Sequence, residues 1–244
     1  MVGTRFYGRM GNVLFQAAHC IAYAMRHDLD FSMPNRTNNP LWNPLYLQHL
    51  VSPHYIQGRE DILINERGHE YQDVEFREEW RHSQMVLNGY WQSEEYFKDY
   101  RSLILDLFDY PYEKREGYVA VHIRRGDYLH LTDKHPPVPK EWYELAMSKF
   151  PGYRFKFFSD DLQYCKNTFG DRSDCEFSSN TDEVQDMVEA SCMEHDILSS
   201  STYGWWIGWL NRNPDKEIYI PRLWFTEGYH LSTVDIVPPQ WHKL

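Results

Sequence analysis

Three times along this chain a short apolar, β-prone run ends directly in a polar or charged cluster. Tyr118-Val119-Ala120-Val121-His122-Ile123 leads into Arg124-Arg125-Gly126-Asp127-Tyr128. Arg154-Phe155-Lys156-Phe157-Phe158 leads into Ser159-Asp160-Asp161, and Ile197-Leu198 into Ser199-Ser200-Ser201-Thr202. A continuous apolar run marks a strand buried on both faces, as in a parallel sheet. In open α/β sheets ligands bind outside the carboxyl ends of the strands. The three clusters are therefore expected on one rim. Between and after them the spacing predicts helices over about 141–149, 183–194 and from 202 through Trp209, and a last strand at 217–220.

The first half begins in the same style. Residues 2–7 predict a strand and 8–12 a tight turn. Val13, Leu14, Ala17, Ile21, Ala24 and Met25 fall on one helical face, with Asn12 as the expected N-cap. Residues 34–54, rich in Pro and Asn, predict irregular structure. Residues 88–93 read as an extended piece before a helix over 94–108. Asp109-Tyr110-Pro111-Tyr112-Glu113 breaks that helix and marks a linker. The fold class is α/β, and 244 residues suffice for two small domains. The expected boundaries are 1–112 and 113–222, with 223–244 returning to the first domain.

The arginine pair carries the sharpest chemistry. A guanidinium presents a planar fork of donors that matches phosphate oxygens. Arg124 and Arg125 are thus candidates to hold a diphosphate, although an Arg–Asp127 ion pair closing a loop fits the same pattern. Ser201 and Thr202 precede a helix, where free N–H groups and the dipole favour phosphate; ordinary capping fits them too. Ser159 and Asp160 offer acceptors to a ribose or a base edge, or form a solvated turn. Gly8-x-x-Gly11-Asn12 resembles a phosphate-approach turn without being G-x-G-x-x-G.

Composition removes several classes. Net charge is −11, against a general nucleic-acid binder. No run reaches the ~20 apolar residues of a membrane span. Peripheral membrane association remains compatible, and the N-terminus lacks a signal peptide's apolar core, so a cytoplasmic location is expected. Cys20, Cys165, Cys175 and Cys192 form no C-x-x-C pair and read as free thiols. The one Asp-x-Asp, Asp28-Leu29-Asp30, falls after a helix, and no H-E-x-x-H occurs. No metal site and no cofactor are expected.

These residues together resemble the alpha-1,2-fucosyltransferases of glycosyltransferase family 11 and, more widely, fucosyltransferases with an H-x-R-R-G-D strand end. The resemblance rests on Gly8-Arg9-Met10-Gly11-Asn12, on Gly89-Tyr90-Trp91-Gln92-Ser93-Glu94, and on His122 through Tyr128. It continues through Phe158-Ser159-Asp160, Trp205-Trp206 and Trp224-Phe225. It implies a GT-B architecture of two Rossmann-like domains facing a central cleft, acceptor-side in 1–112 and GDP-sugar-binding in 113–222. It implies inverting, metal-independent transfer of L-fucose from GDP-fucose to a glycan acceptor, such as the 2-OH of a galactose-like residue. Carried over, Arg124, Arg125, Asn12, Gly11, Ser159, Asp160, Ser201 and Thr202 hold the donor. Asp127 is the first candidate for catalytic base, ahead of His122 and Asp133, and Arg124 is the catalytic cation at the diphosphate. The chain departs from the family pattern at Val13, Ser200 and Gly204. Another GDP-sugar, rhamnose or mannose, and a non-catalytic sugar- or nucleotide-binding module stay open as alternatives. Acceptor loops are expected within 34–54, 60–80 and 129–139.

Overall fold

The computed structural model describes residues 1–34, 60–108 and 111–244. Most of the 34–54 stretch, and Asp109 and Tyr110 of the expected linker, lie outside them. The chain is α/β and divides into two compact units: Met1–Tyr110 with Leu231–Pro238, and Pro111–His230 with Pro239–Leu244.

The first unit carries a four-stranded parallel sheet of β1 (Val2–Thr4), β2 (Phe31–Ser32), β3 (Ile62–Asn65) and β4 (Met85–Asn88), in the order β2-β1-β4-β3. Helix α1 (Met10–Arg26) is buried along nearly its whole length, through Val13, Phe15, Ala17, Cys20 and Ile21. Small residues let it lie close to its neighbours. His19 on this helix stacks on Trp91 with ring centroids 4.5 Å apart, and burial pushes its pKa down to about 3, so the ring packs as a neutral aromatic.

Several expectations change here. The first strand stops at Thr4, and α1 starts at Met10 with Arg9 as its N-cap residue. The chain turns at Gly8, where φ is +73°, and the helix is entered from Arg9, three residues earlier than Asn12 suggested. Gly11 and Asn12 therefore lie inside the first helical turn. The Asn12 side-chain oxygen accepts from Gln92 Nε2 at 2.9 Å instead of capping. The helix expected over 94–108 is two single 3-10 turns followed by α2 (Arg101–Leu107). Phe97 interrupts it with φ −144° and ψ 1°, because burying Tyr96 and Phe97 beside α1 outweighs helix continuity. The 60–80 stretch, expected as loop, contains β3.

The second unit carries a six-stranded sheet in the order β10-β9-β8-β5-β6-β7, parallel throughout. Its strands are β5 (Arg115–Ile123), β6 (Arg154–Ser159), β7 (Cys175–Phe177), β8 (Met193–Leu198), β9 (Ile218–Ile220) and β10 (His242–Lys243). Its helices are α3 (Lys140–Met147), α4 (Leu162–Phe169), α5 (Glu183–Ser191) and α6 (Thr202–Leu210). Side chains alternate across a strand. Val119, Val121 and Ile123 join a core with Tyr143 and Met147 of α3 and Phe169 of α4. Ala120 and His122 point to the opposite face.

Sequence periodicity missed α4 and β7. Asp161 is the α4 N-cap, its side chain accepting from the Tyr164 N–H at 3.0 Å. β8 starts at Met193, so α5 ends at Ser191 rather than continuing to 194.

Candidate functional site

The chain runs from β5 outward through β6 and β7, then returns to the other side of β5 as β8 and β9. The carboxyl ends of β5 and β8 are the point where strand order reverses, which is where open parallel sheets form a binding crevice. In register, His122 lies beside Phe158 and Leu198, and Ile123 beside Ser159. The three clusters singled out in the sequence thus emerge on one edge.

His122 is buried, with Nδ1 2.9 Å from Ser199 Oγ. Ser199 Oγ also accepts the Arg124 backbone N–H at 3.2 Å. The hydroxyl can donate to Nδ1 or accept from it, so this contact holds the ring in place with either nitrogen protonated. Burial, reinforced by the Arg124 charge, pushes the imidazole down to about 3, so it is neutral near pH 7. Gly204 makes this packing feasible: a Cβ there would stand 2.6 Å from His122 Nδ1.

The two arginines diverge. Arg124 pairs with Asp127 at 2.6 Å and Asp160 at 2.9 Å, and its guanidinium lies 5.4 Å from the Tyr128 ring. Arg125 pairs with Asp161 at 3.2 Å and lies over the Tyr164 ring at 3.5 Å. Asp160 also accepts the Arg125 backbone N–H at 2.9 Å. Gly126 permits that approach, since a Cβ there would meet Asp160 Oδ2 at 2.4 Å.

A cavity of about 260 Å³ opens at this edge, lined by His122, Arg124, Ser159 and Asp160 among the expected residues. Arg125, Asp127, Ser201 and Thr202 do not line it. Ser201 is the N-cap residue of α6, its backbone N–H donating to the Ser199 carbonyl at 2.8 Å, and Thr202 opens the helix. Gly11 and Asn12 belong to the first unit.

Sequence reading missed Asn180, Asp182, Asp186 and Tyr203, which also line it. Asp182 had a legible signal, an acidic residue before the apolar spacing of a helix. It caps α5, accepting from the Val184 and Gln185 N–H groups at 2.9 Å. Asn180 and Asp186 had none. Their meeting depends on the turn before α5, where Asp186 accepts from Ser178 Oγ and from Asn180 Nδ2. Burial raises the Asp186 carboxyl above the usual range. The cavity thus offers one guanidinium, one neutral imidazole and several carboxylate acceptors. Among the described residues no group of three or more His, Cys, Asp or Glu side chains is placed to hold a metal ion.

A parallel sheet that opens into a polar cavity at its switch point defines an open, doubly wound α/β fold. The sequence matches the family described as Glycosyl transferase family 11 over residues 1–243, and the chain belongs to that family. It is 31% identical over 170 residues to the O-antigen biosynthesis glycosyltransferase WbnK of Escherichia coli, covering 57% of this chain and 55% of that one. It is 31% identical over 180 residues to an alpha-1,2-colitosyltransferase of Escherichia coli, covering 64% and 61%. The chain thus spans little more than half the length of these curated relatives. A crystal structure of POFUT1 in complex with GDP-fucose superposes with a TM-score of 0.51 at 10% identity, covering 90% of this chain and 97% of that one. At that identity the likeness speaks for the fold.

Proposed function

We propose that this chain is an inverting, metal-independent transferase that moves L-fucose from GDP-fucose to a glycan hydroxyl, the 2-OH of a galactose-like residue. The observation that carries the proposal is Arg124, poised between two carboxylates at the sheet's switch point and lining a polar cavity with His122. Family membership supports it, as does a galactoside alpha-(1,2)-fucosyltransferase 2 relative from Bos taurus. Two parallel-sheet units in one chain support a GT-B organisation, with 113–222 as the GDP-sugar side and 1–112 as the acceptor side. Free thiols, three of them buried, support a cytoplasmic location.

In this reading Arg124 holds the diphosphate. As the C1–O bond loosens, negative charge grows on the departing GDP, and a fixed guanidinium lowers the barrier by stabilising that charge more than the bound donor. Asp160 and the wall at Asp182 and Asp186 supply acceptors for ribose hydroxyls and the N–H edge of guanine. His122 is a neutral ring lining the cavity rather than a base, because it does not keep a second proton at pH 7. Arg125 steadies the start of α4 behind the cavity. Ser201 and Thr202 set the entry of α6. Inversion requires the acceptor hydroxyl to lose a proton, and Asp127 is the candidate to take it. Its 2.6 Å contact with Arg124 also suits a brace. A brace predicts that Asp127→Asn raises the donor KM with kcat nearly intact, whereas a base predicts a large loss in kcat.

The colitosyltransferase relative, with the departures at Ser200 and Gly204, favours a second reading in which the donor carries a different sugar. One experiment separates them: GDP release from a panel of GDP-sugars with galactosyl acceptors and EDTA, for the wild type and Arg124→Ala. Acceptor-dependent release from GDP-fucose, lost in a variant that still melts cooperatively, is the expected result. Release from another GDP-sugar alone would replace the fucose assignment. Abolition by EDTA would remove metal independence.

A further inference from the structure

The rule that located the cavity in the second unit applies equally to the first. The order β2-β1-β4-β3 reverses between β1 and β4: the chain goes from β1 outward to β2, then returns on the other side through β3 and β4. The segments leaving this switch point are Arg5-Phe6-Tyr7 and Asn88-Gly89-Tyr90, and they meet. Tyr7 Oη donates to Asn88 Oδ1 at 2.6 Å, and Asn88 Nδ2 donates to Asn65 Oδ1 at 2.7 Å. Asn65 and Asn88 are register partners at the ends of adjacent strands. The Tyr7 and Tyr90 rings lie 6.2 Å apart, both more than one-third exposed.

This patch is held rigidly from below. Buried Gln16 of α1 clamps the Tyr7 backbone, accepting its N–H at 2.9 Å and donating to its carbonyl at 3.3 Å. The Glu66 carboxylate accepts the Tyr90 and Trp91 N–H groups at 2.6 and 2.8 Å. Trp91 is fixed at φ +55°, a left-handed conformation that bulky residues rarely adopt and that persists only when its surroundings enforce it. Chain geometry is thus constrained to present Tyr90 outward, beside side-chain amides and a carboxylate.

We infer that this edge of the first sheet binds a neutral pyranose of the acceptor glycan, its apolar C–H face on Tyr90 and Tyr7 and its hydroxyls on Asn65, Asn88 and Glu66. An exposed aromatic face suits the C–H side of a sugar; amides and a carboxylate supply both donors and acceptors to its hydroxyls. The inference rests on the transferase reading for the word acceptor, and on the first unit alone for the site.

The test is saturation-transfer NMR of lactose and methyl β-galactoside with the whole chain and no donor present, beside calorimetry of GDP. Tyr90→Ala is expected to weaken sugar binding by about tenfold, and Tyr90→Phe, which keeps the ring, by about twofold or less. GDP affinity is expected to stay unchanged in both. Should Tyr90→Ala fail to fold, Asn65→Leu at the exposed strand end tests the polar half of the site. A folded Tyr90→Ala that binds lactose like the wild type overturns the inference, as does the absence of any sugar signal from the wild type. If lactose binds as expected while no GDP-sugar is turned over, this site stands and the transferase reading falls.

Discussion

Arg124 and Arg125 leave β5 in succession, yet their side chains enter different surroundings. Arg124 lines the cavity, whereas Arg125 is spent on Asp161 and the Tyr164 ring. Arg125→Ala is therefore expected to lower stability by about 1–2 kcal/mol and to leave the donor KM within about threefold of wild type. Thermal melts and initial-rate kinetics read the two effects separately. Ser199→Ala removes the hydroxyl bonded to His122 Nδ1 and to the Arg124 backbone N–H. It is expected to cut turnover by about tenfold, and ¹⁵N NMR should show the His122 Nδ1 resonance shift as its hydrogen-bond partner is lost. Away from the cavity, Asp196 is fully buried in β8, and burial raises its carboxyl to about 7 despite a 2.9 Å bond from Asn211 Nδ2. As pH rises past the unfolded value near 4, the unfolded chain loses this proton while the folded one keeps it. Stability therefore falls, by at most about 1.4 kcal/mol per pH unit, until the folded group also ionises near pH 7. Asp196→Asn is expected to remove that slope and to be the more stable form at pH 8. His122 and His19, both lowered, act in the opposite direction over the same window. The difference between wild-type and variant urea curves isolates Asp196.

At the scale of elements, helix starts and ligand sites draw on the same residues. Asp161 was legible as an acceptor after β6 but caps α4, and Asp182 caps α5 while lining the cavity. Short polar side chains satisfy backbone N–H groups as readily as ligands do. Only the following apolar spacing of Leu162, Cys165 and Phe169 distinguishes the two uses. Asp182→Ala is expected to cost about 1 kcal/mol by loss of the cap and to raise the donor KM, because the turn carrying Asn180 then loosens. Unfolding and kinetics on the same preparation check both. The α5–β8 boundary was misread because Met193 and Glu194 are buried or half-buried in a strand yet continue a sequence that favours helix; pairing with β5 decides it.

Over the whole chain, each unit is completed by residues distant in sequence. Asp235 accepts the Tyr71 N–H at 2.8 Å within the first unit. In the second, β10 adds to β9, and Trp241 packs against Trp205 at 5.6 Å. Trp241→Ala is expected to cost about 3–5 kcal/mol, the usual range for emptying a buried tryptophan site, measurable by urea unfolding. Nothing in the local pattern of 223–244 signals this division, since a two-residue strand has no periodicity. By contrast, the β-prone runs at 118–123 and 154–158, their polar ends and the helix through Trp205 were determined by the sequence alone. Strand burial and helix amphipathicity are written in local spacing, and a parallel sheet follows from them. The tertiary structure decided which arginine faces the cavity, which acids cap helices, and that Asn180 and Asp186 share a wall with His122. Those outcomes depend on strand order and on contacts between residues dozens of positions apart, which no window of sequence contains.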